Sequence, residues 1–253
     1  MNKTFIFNST LIIALSVAMS YLTPVMAESQ LSSSTKVEAS KKRLMAKLAN
    51  LNFFSADFTQ EVVSEAGELL EKSSGKLAIS KPNLANWHTL EPDELAIVSD
   101  GRDVWFYDPW IEQVSVYSLS AAIAKTPILL LTSKDESLWQ QYTVSEEKVS
   151  QEKPNQEKVA QAGVSQIKAN QQGERFVISA KDPNSQIKSL TLVFSANGKK
   201  TQENKLSQFS FLDATGQVSH IKLSNFDAKK VPSSSLFNFV LPEGVQIDDQ
   251  RAN

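Results

Sequence analysis

Ala96-Ile97-Val98-Ser99-Asp100-Gly101-Arg102-Asp103-Val104-Trp105-Phe106-Tyr107-Asp108-Pro109 is the stretch that decides the fold. Two β-forming runs, Ala96–Val98 and Val104–Tyr107, flank an Asp-Gly pair, the dipeptide that a type I′ hairpin turn favours because both of its central residues take positive φ. Asp108-Pro109 ends the second run, and the chain resumes as Gln113-Val114-Ser115-Val116-Tyr117. The connections are too short for crossover helices, so these strands form an antiparallel meander and not a βαβ series.

The same pattern extends in both directions. Upstream, Phe54, Ala56, Phe58 and Gln60 share one side of a period-2 segment, and Ser73-Ser74-Gly75 reads as a turn before the strand Lys76-Leu77-Ala78-Ile79. Downstream, strands are expected at Phe176–Ile178, Leu190–Phe194, Phe209–Phe211, Ile221–Leu223 and Phe237–Phe239. Several alternate cleanly, as in a sheet with one buried and one wet face. A mainly β protein results, with about ten or eleven strands in one twisted antiparallel sheet, and a sheet of that size tends to curl.

Helices interrupt the strands at two places. Thr35 stands three residues before Glu38 in capping-box spacing, and Val37, Leu44, Met45, Leu48 and Leu51 follow at helical intervals, which predicts an amphipathic helix over 35–51 behind an unstructured lead-in, 28–34. Residues 119–132 predict two short helices, the first capped by Ser120 and the second by Thr126 with Pro127 at its first position. Ile128, Leu129, Leu130 and Leu131 make that second helix apolar nearly all round, so it is buried on more than one side or faces something greasy. Residues 145–174 carry no aromatic side chain and are broken by Pro154, Gly163 and Gly173, the composition of a flexible insertion.

Composition narrows the function. The chain has 253 residues, 41% of them apolar, with Lys+Arg 26 against Asp+Glu 28. No strong field of either sign advertises nucleic acid. The absence of cysteine excludes disulfides, thiolate metal sites, cysteine nucleophiles and a lipid-modified N-terminal cysteine. Lys3, the apolar run Leu11–Val17 and Val25-Met26-Ala27 compose a secretory signal peptide over residues 1–27, leaving 28–253 as a single exported domain.

Enzyme signatures are missing. There is no nucleophile elbow, phosphate loop, dinucleotide turn or zinc helix. The Ser-x-x-Lys spacings at Ser73, Ser165 and Ser185 fall in turn-like or low-complexity segments. Asp248 and Asp249 are adjacent on an extended segment and point to opposite sides, and His88 has no evident acid partner. No catalytic residue, metal ligand or cofactor is expected. What remains is apolar surface: Trp87, Trp105, Phe106, Tyr107, Trp110 and Trp139, together with the 128–131 aliphatics. Curled around its own side chains, the sheet makes a filled core; curled incompletely around helices, it makes a lipid-sized cavity. These residues leave both open.

Phe58-Thr59-Gln60, Lys81-Pro82-Asn83 with Asn86-Trp87, Val98–Gly101, Trp105–Pro109, Glu112–Val114, Thr126-Pro127, Trp139–Tyr142 and Val245–Arg251 run in order along the chain. Together they resemble the LolA family of periplasmic lipoprotein carriers from about residue 40 to 251. The resemblance implies an incomplete, strongly curved antiparallel barrel with short helices forming a lid over an apolar cavity. It implies a monomeric, non-enzymatic chaperone of the periplasm that receives acylated lipoproteins from an inner-membrane LolCDE-type ABC transporter and passes them to an outer-membrane LolB-type receptor.

It further implies that Trp87, Trp105, Phe106, Ile128, Leu129, Leu130 and Leu131 line or cover the cavity. Strand alternation lets only one of Trp105 and Phe106 face inward, and Phe58 is placed under the first helix. Lys81 stands where the family usually has an arginine that hydrogen-bonds to lid-helix carbonyls; lysine can donate but lacks the planar fork, which predicts a looser latch. Ala85 stands where a bulky aromatic is common, which predicts a reshaped cavity mouth.

Overall fold

The computed structural model describes residues 27–123, 126–148, 173–195 and 205–251. Alternating apolar residues build β1 (Phe53–Val63), β2 (Leu69–Ser80), β3 (Leu84–Glu91), β4 (Leu95–Asp100), β5 (Asp103–Asp108) and β6 (Gln113–Ser118) as one meander. A second follows in β7 (Tyr142–Lys148), β8 (Gly173–Ala180), β9 (Ile187–Ser195), β10 (Leu206–Asp213) and β11 (Val218–Asp227), and β12 (Gln246–Asp249) closes the series. All twelve lie in one sheet, ordered β12-β6-β5-β4-β3-β2-β1-β11-β10-β9-β8-β7. The β1–β11 pairing fuses the two meanders, while β12 and β7 end the sheet without meeting, so the barrel is left open. Pairing is antiparallel throughout except for β12, which lies parallel to β6 with Ile247 opposite Val114.

Register carries one apolar face across the whole sheet. Phe54 stands opposite Ile79, Ala56 opposite Leu77 and Phe58 opposite Gly75. Leu77 faces Trp87, Trp87 faces Ile97, and Ile97 faces Phe106. On the other half Ile221 faces Phe209, Phe209 faces Leu192, and Leu192 faces Phe176. Leu44, Leu48 and Leu51 bring α1 (Ala27–Ala49) and the residues just beyond it onto this face, where they join one hydrophobic core with Phe54, Phe58 and Ile79. Arg43 pairs with Glu146 at 2.6 Å and Lys47 with Glu174 at 2.5 Å, which fastens α1 to β7 and β8. Among the described residues no helix is long and apolar enough to cross a membrane.

Several local expectations are corrected. α1 begins at Ala27, so Thr35 lies inside it and not at its start; residues 28–34 hold no glycine or proline to stop a helix that is anchored by packing further on. The signal-peptide residues before Ala27 lie outside the described residues. Ser73-Ser74-Gly75 is strand, and the turn falls earlier, where the Ser64 N–H donates to the Glu68 carbonyl and Gly67 takes φ 83°. Glycine is needed at 75 because a side chain there would run into the His88 carbonyl and the Phe58 ring.

The first short helix, α2 (Leu119–Ile123), starts before Ser120, whose hydroxyl meets that of Ser118. Pro127–Leu131 is a 3₁₀ helix with proline at its start, and Thr126 makes no side-chain cap. A third helix, α3 (Glu136–Trp139), went unseen in the sequence although Asp135 caps it by accepting from the Ser137 N–H at 2.8 Å. The expected insertion is trimmed at both ends, since Ser145–Lys148 pairs in register with Glu174–Val177; residues 149–172 lie outside the described residues. Phe237–Phe239 is no strand: a 3₁₀ turn over Ser234–Phe237 wraps the outer face of β3 to β5, where Asn86 Nδ2 donates to the Leu236 carbonyl.

Candidate functional site

An open cavity of about 660 Å³ sits on the inner face of the first meander. Its apolar lining includes Trp87, Ile97, Phe106, Ile128, Phe209 and Phe211, drawn from β3, β4, β5, the 3₁₀ helix and β10. Trp87, Ile97 and Phe106 are consecutive rungs of the register, so pleat periodicity alone aims all three the same way. The indole of Trp87 is held on three sides. Phe58 packs against it at a centroid distance of 4.0 Å, Phe209 meets it edge-on at 6.2 Å, and Trp87 Nε1 donates to Thr89 Oγ1 at 3.1 Å. Phe58 is thus the floor beneath Trp87 rather than a cushion for the first helix alone.

Trp105 is not part of this lining. It is one residue out of phase with Phe106 and therefore emerges on the outer face, stacked on Phe239 at 5.3 Å with the Arg251 guanidinium 6.0 Å away. Arg251 also pairs with Asp103 at 3.0 Å, so the aromatic stack and the ion pair together pin the C-terminal segment to β5. Ile128 reaches the cavity, but Leu129, Leu130 and Leu131 are at most 2% exposed and fill the core beside it. The structure therefore combines the two arrangements the sequence left open: much of the interior is packed, and an apolar cavity persists at one end.

Carboxylates mark the polar side of the cavity. Glu71, Asp93, Glu94 and Asp108 contribute to its lining, and among the described residues lining it there is no lysine or arginine. His88 has the acid partner that sequence reading did not find, with Nε2 2.8 Å from Glu94 Oε1. Asp248 and Asp249 diverge as expected: Asp248 accepts from Ser115 and Gln250, whereas Asp249 pairs with Arg251.

Lys81 Nζ donates to the Leu48 carbonyl at 2.6 Å. Its acceptor belongs to the last turn of α1, where carbonyls outside the α-helical ladder keep a free lone pair and the helix dipole favours a cation, and not to the 127–131 helix. Burial, aided by the nearby Lys134 ammonium, pushes the Lys81 pKa from 10.5 down to about 8. Two residues on, Asn83 adopts φ 63° and its N–H donates to the Thr132 carbonyl at 3.2 Å. One corner between β2 and β3 thus holds the C-terminal ends of both α1 and the 3₁₀ helix. Ala85 lies 3% exposed within the core and does not reach the cavity.

An open curved sheet with an apolar cavity on its inner face and helices fastened across it is a half-barrel built to hold a greasy ligand. The family model for outer membrane lipoprotein carrier protein LolA matches residues 49–157 and 153–240. The chain is 35% identical to the outer-membrane lipoprotein carrier protein of Aeromonas salmonicida (strain A449), over 82% of this chain and 88% of that one. It is 36% identical to the protein of the same name from Aliivibrio fischeri (strain MJ11), over 87% and 94%. A LolA superfamily protein from Nitrosomonas europaea aligns in structure with a TM-score of 0.42 at 12% identity, covering 77% of this chain and 97% of that one, a likeness too distant to add to the sequence match. The chain belongs to the LolA family of outer-membrane lipoprotein carriers.

Proposed function

We propose that this protein carries acylated lipoproteins across the periplasm, binding their acyl chains in the cavity lined by Trp87, Ile97, Phe106, Ile128, Phe209 and Phe211. Cargo arrives from an inner-membrane LolCDE-type transporter and leaves to an outer-membrane LolB-type receptor. The observation that carries this reading is the cavity itself: about 660 Å³ of room, in the range of roughly 300–1,000 Å³ of small-ligand pockets, bounded by large apolar side chains. Its role is binding, without chemistry on the cargo.

Release constrains the mechanism. An acyl chain of about 15 methylenes is worth about 12 kcal/mol gross when fully buried, and non-covalent affinities saturate near −18 to −21 kcal/mol. Complete burial of three chains would leave no way out, so burial is partial and opening the lid subtracts from affinity. The closed state is lightly held. Lys81 keeps a charge half-buried beside Lys134, and Asn83 Oδ1 is buried without a hydrogen-bond partner among the described residues. Without a nucleotide-binding motif of its own, the carrier draws loading energy from the transporter, and transfer onward needs only a receptor with a better pocket.

Native mass spectrometry of the protein purified from the periplasm, with displacement of a fluorescent fatty acid, tests the reading. Co-purified acylated ligand and saturable probe uptake are expected; a protein that carries no acyl group and takes up no probe overturns it.

A further inference from the structure

The carrier function uses Lys81 but leaves unused the groove in which it lies. Between α1 and the 133–140 segment is a cleft of about 610 Å³, separate in its lining from the acyl cavity. Lys41, Lys42, Lys81 and Lys134 line it, against Glu38 and Glu136. Two positive charges are in excess, and among the described residues none of the four lysines is ion-paired. Lys41 spends one donor on the Trp139 carbonyl at 2.8 Å and Lys81 one on Leu48 at 2.6 Å, while each ammonium carries three. Met45, Leu48 and Trp139 supply an apolar base.

We propose that this groove docks a carboxylate-rich segment of a protein partner, seated between Lys81 and Lys134, and that docking draws the Lys81 ammonium off the Leu48 carbonyl and frees α1. The inference rests on the reading of Lys81 as the lid latch. A carboxylate is the stronger acceptor for an ammonium, because its full negative charge adds a Coulombic attraction that a neutral carbonyl does not supply. It also relieves the repulsion of Lys134, which adds to burial in disfavouring the Lys81 ammonium. A protein segment fits better than a membrane surface: the groove is concave, and Glu38 and Glu136 would oppose a flat anionic array. Docking and lid release become one event, so a loaded carrier opens where an acidic partner waits.

Isothermal titration with an acetylated Glu-Glu-Leu-Glu-Glu-Leu peptide tests the site, with vesicles containing phosphatidylglycerol as the membrane arm. Wild type is expected to bind the peptide, Lys134→Glu to weaken it at least tenfold, and the vesicles not to compete. Undiminished binding by Lys134→Glu, or vesicle binding without peptide binding, overturns the docking site. Hydrogen exchange at Asn50 and Leu51, whose N–H groups bond the Lys47 and Leu48 carbonyls, reads the latch. Peptide is expected to accelerate that exchange severalfold, and binding without acceleration overturns the coupling. Lys81→Met without peptide isolates the latch: unchanged exchange in that variant sinks the latch reading itself, whatever the peptide does.

Discussion

The Lys81 ammonium lies 2.6 Å from the Leu48 carbonyl, and through that bond the corner between β2 and β3 holds the last turn of α1. A hydrogen bond to a charged donor contributes about 1.5–3 kcal/mol when shielded, and partial exposure of Lys81 puts this one near or below the lower end. Lys81→Met is therefore expected to speed amide exchange at the α1 C-terminus about fivefold to tenfold. Lys81→Arg, whose planar fork can engage more than one carbonyl, is expected to slow it. Equal protection in all three proteins removes Lys81 from the lid.

The same bond has a pH signature. The Lys81 pKa is about 8 in the folded chain against 10.5 ordinarily, so between those values the unfolded chain binds more protons and stability rises with pH. The contribution is fully present above pH 10.5 and is lost as pH falls through 8. Urea unfolding of wild type and Lys81→Met at pH 7.5, 9 and 10.5 isolates it, because the variant lacks the titration. Wild type is expected to gain on Lys81→Met across this range, and a constant gap contradicts the buried ammonium.

What the sequence made legible was whatever local chemistry decides. The hairpin fell at Asp100-Gly101 as expected, although Asp100 ends β4 without positive φ. The two turn residues are Gly101 and Arg102, with only Gly101 left-handed at φ 99°, so the turn is not type I′. The period-2 runs put Phe54, Ala56 and Phe58 in the core. Ser73-Ser74-Gly75 carried the same turn chemistry and is strand, because Gly75 answers to a neighbouring strand and not to its own φ. Phe237–Phe239 looked like a strand, but its rings serve the outer face of distant strands. Lys81 was singled out through family resemblance, yet its acceptor, the Leu48 carbonyl, was not. The lysine groove was invisible, since the Lys41–Trp139 contact joins residues 98 apart.

Phase decides which aromatic faces the cavity. Phe106 lines the cavity, while Trp105, its neighbour, stacks on Phe239 behind the sheet. Phe106→Ala is expected to weaken a fluorescent fatty acid about tenfold. Trp105→Ala is expected to leave affinity within about twofold while increasing proteolysis of the C-terminal segment. The reverse ranking would mean that the ligand binds the outer face.

The 3₁₀ helix divides its work in the same way. Leu130 is 2% exposed in the core, so Leu130→Ala is expected to cost about 2–5 kcal/mol of stability. Ile128 both fills the core and reaches the cavity, so Ile128→Ala should lower stability and probe affinity together. Thermal unfolding measured beside probe titration separates them. Loss of binding in a fully folded Leu130→Ala would place Leu130 on the ligand instead.

Gly75 sets the depth of the cavity floor. A methyl group there meets the His88 carbonyl across the β2–β3 pairing and the Phe58 ring across β1–β2, both well inside contact distance. The ring could swing, but the carbonyl is backbone in a continuous ladder and cannot, so the strands must part. Overpacking a core costs about 1–3 kcal/mol when side chains can give way; here Gly75→Ala is expected to exceed that range. Any swing of Phe58 also withdraws the support under Trp87, 4.0 Å from it. Urea unfolding and near-ultraviolet circular dichroism of Gly75→Ala should show both losses together, and an unchanged midpoint with an unchanged tryptophan signal refutes the close approach.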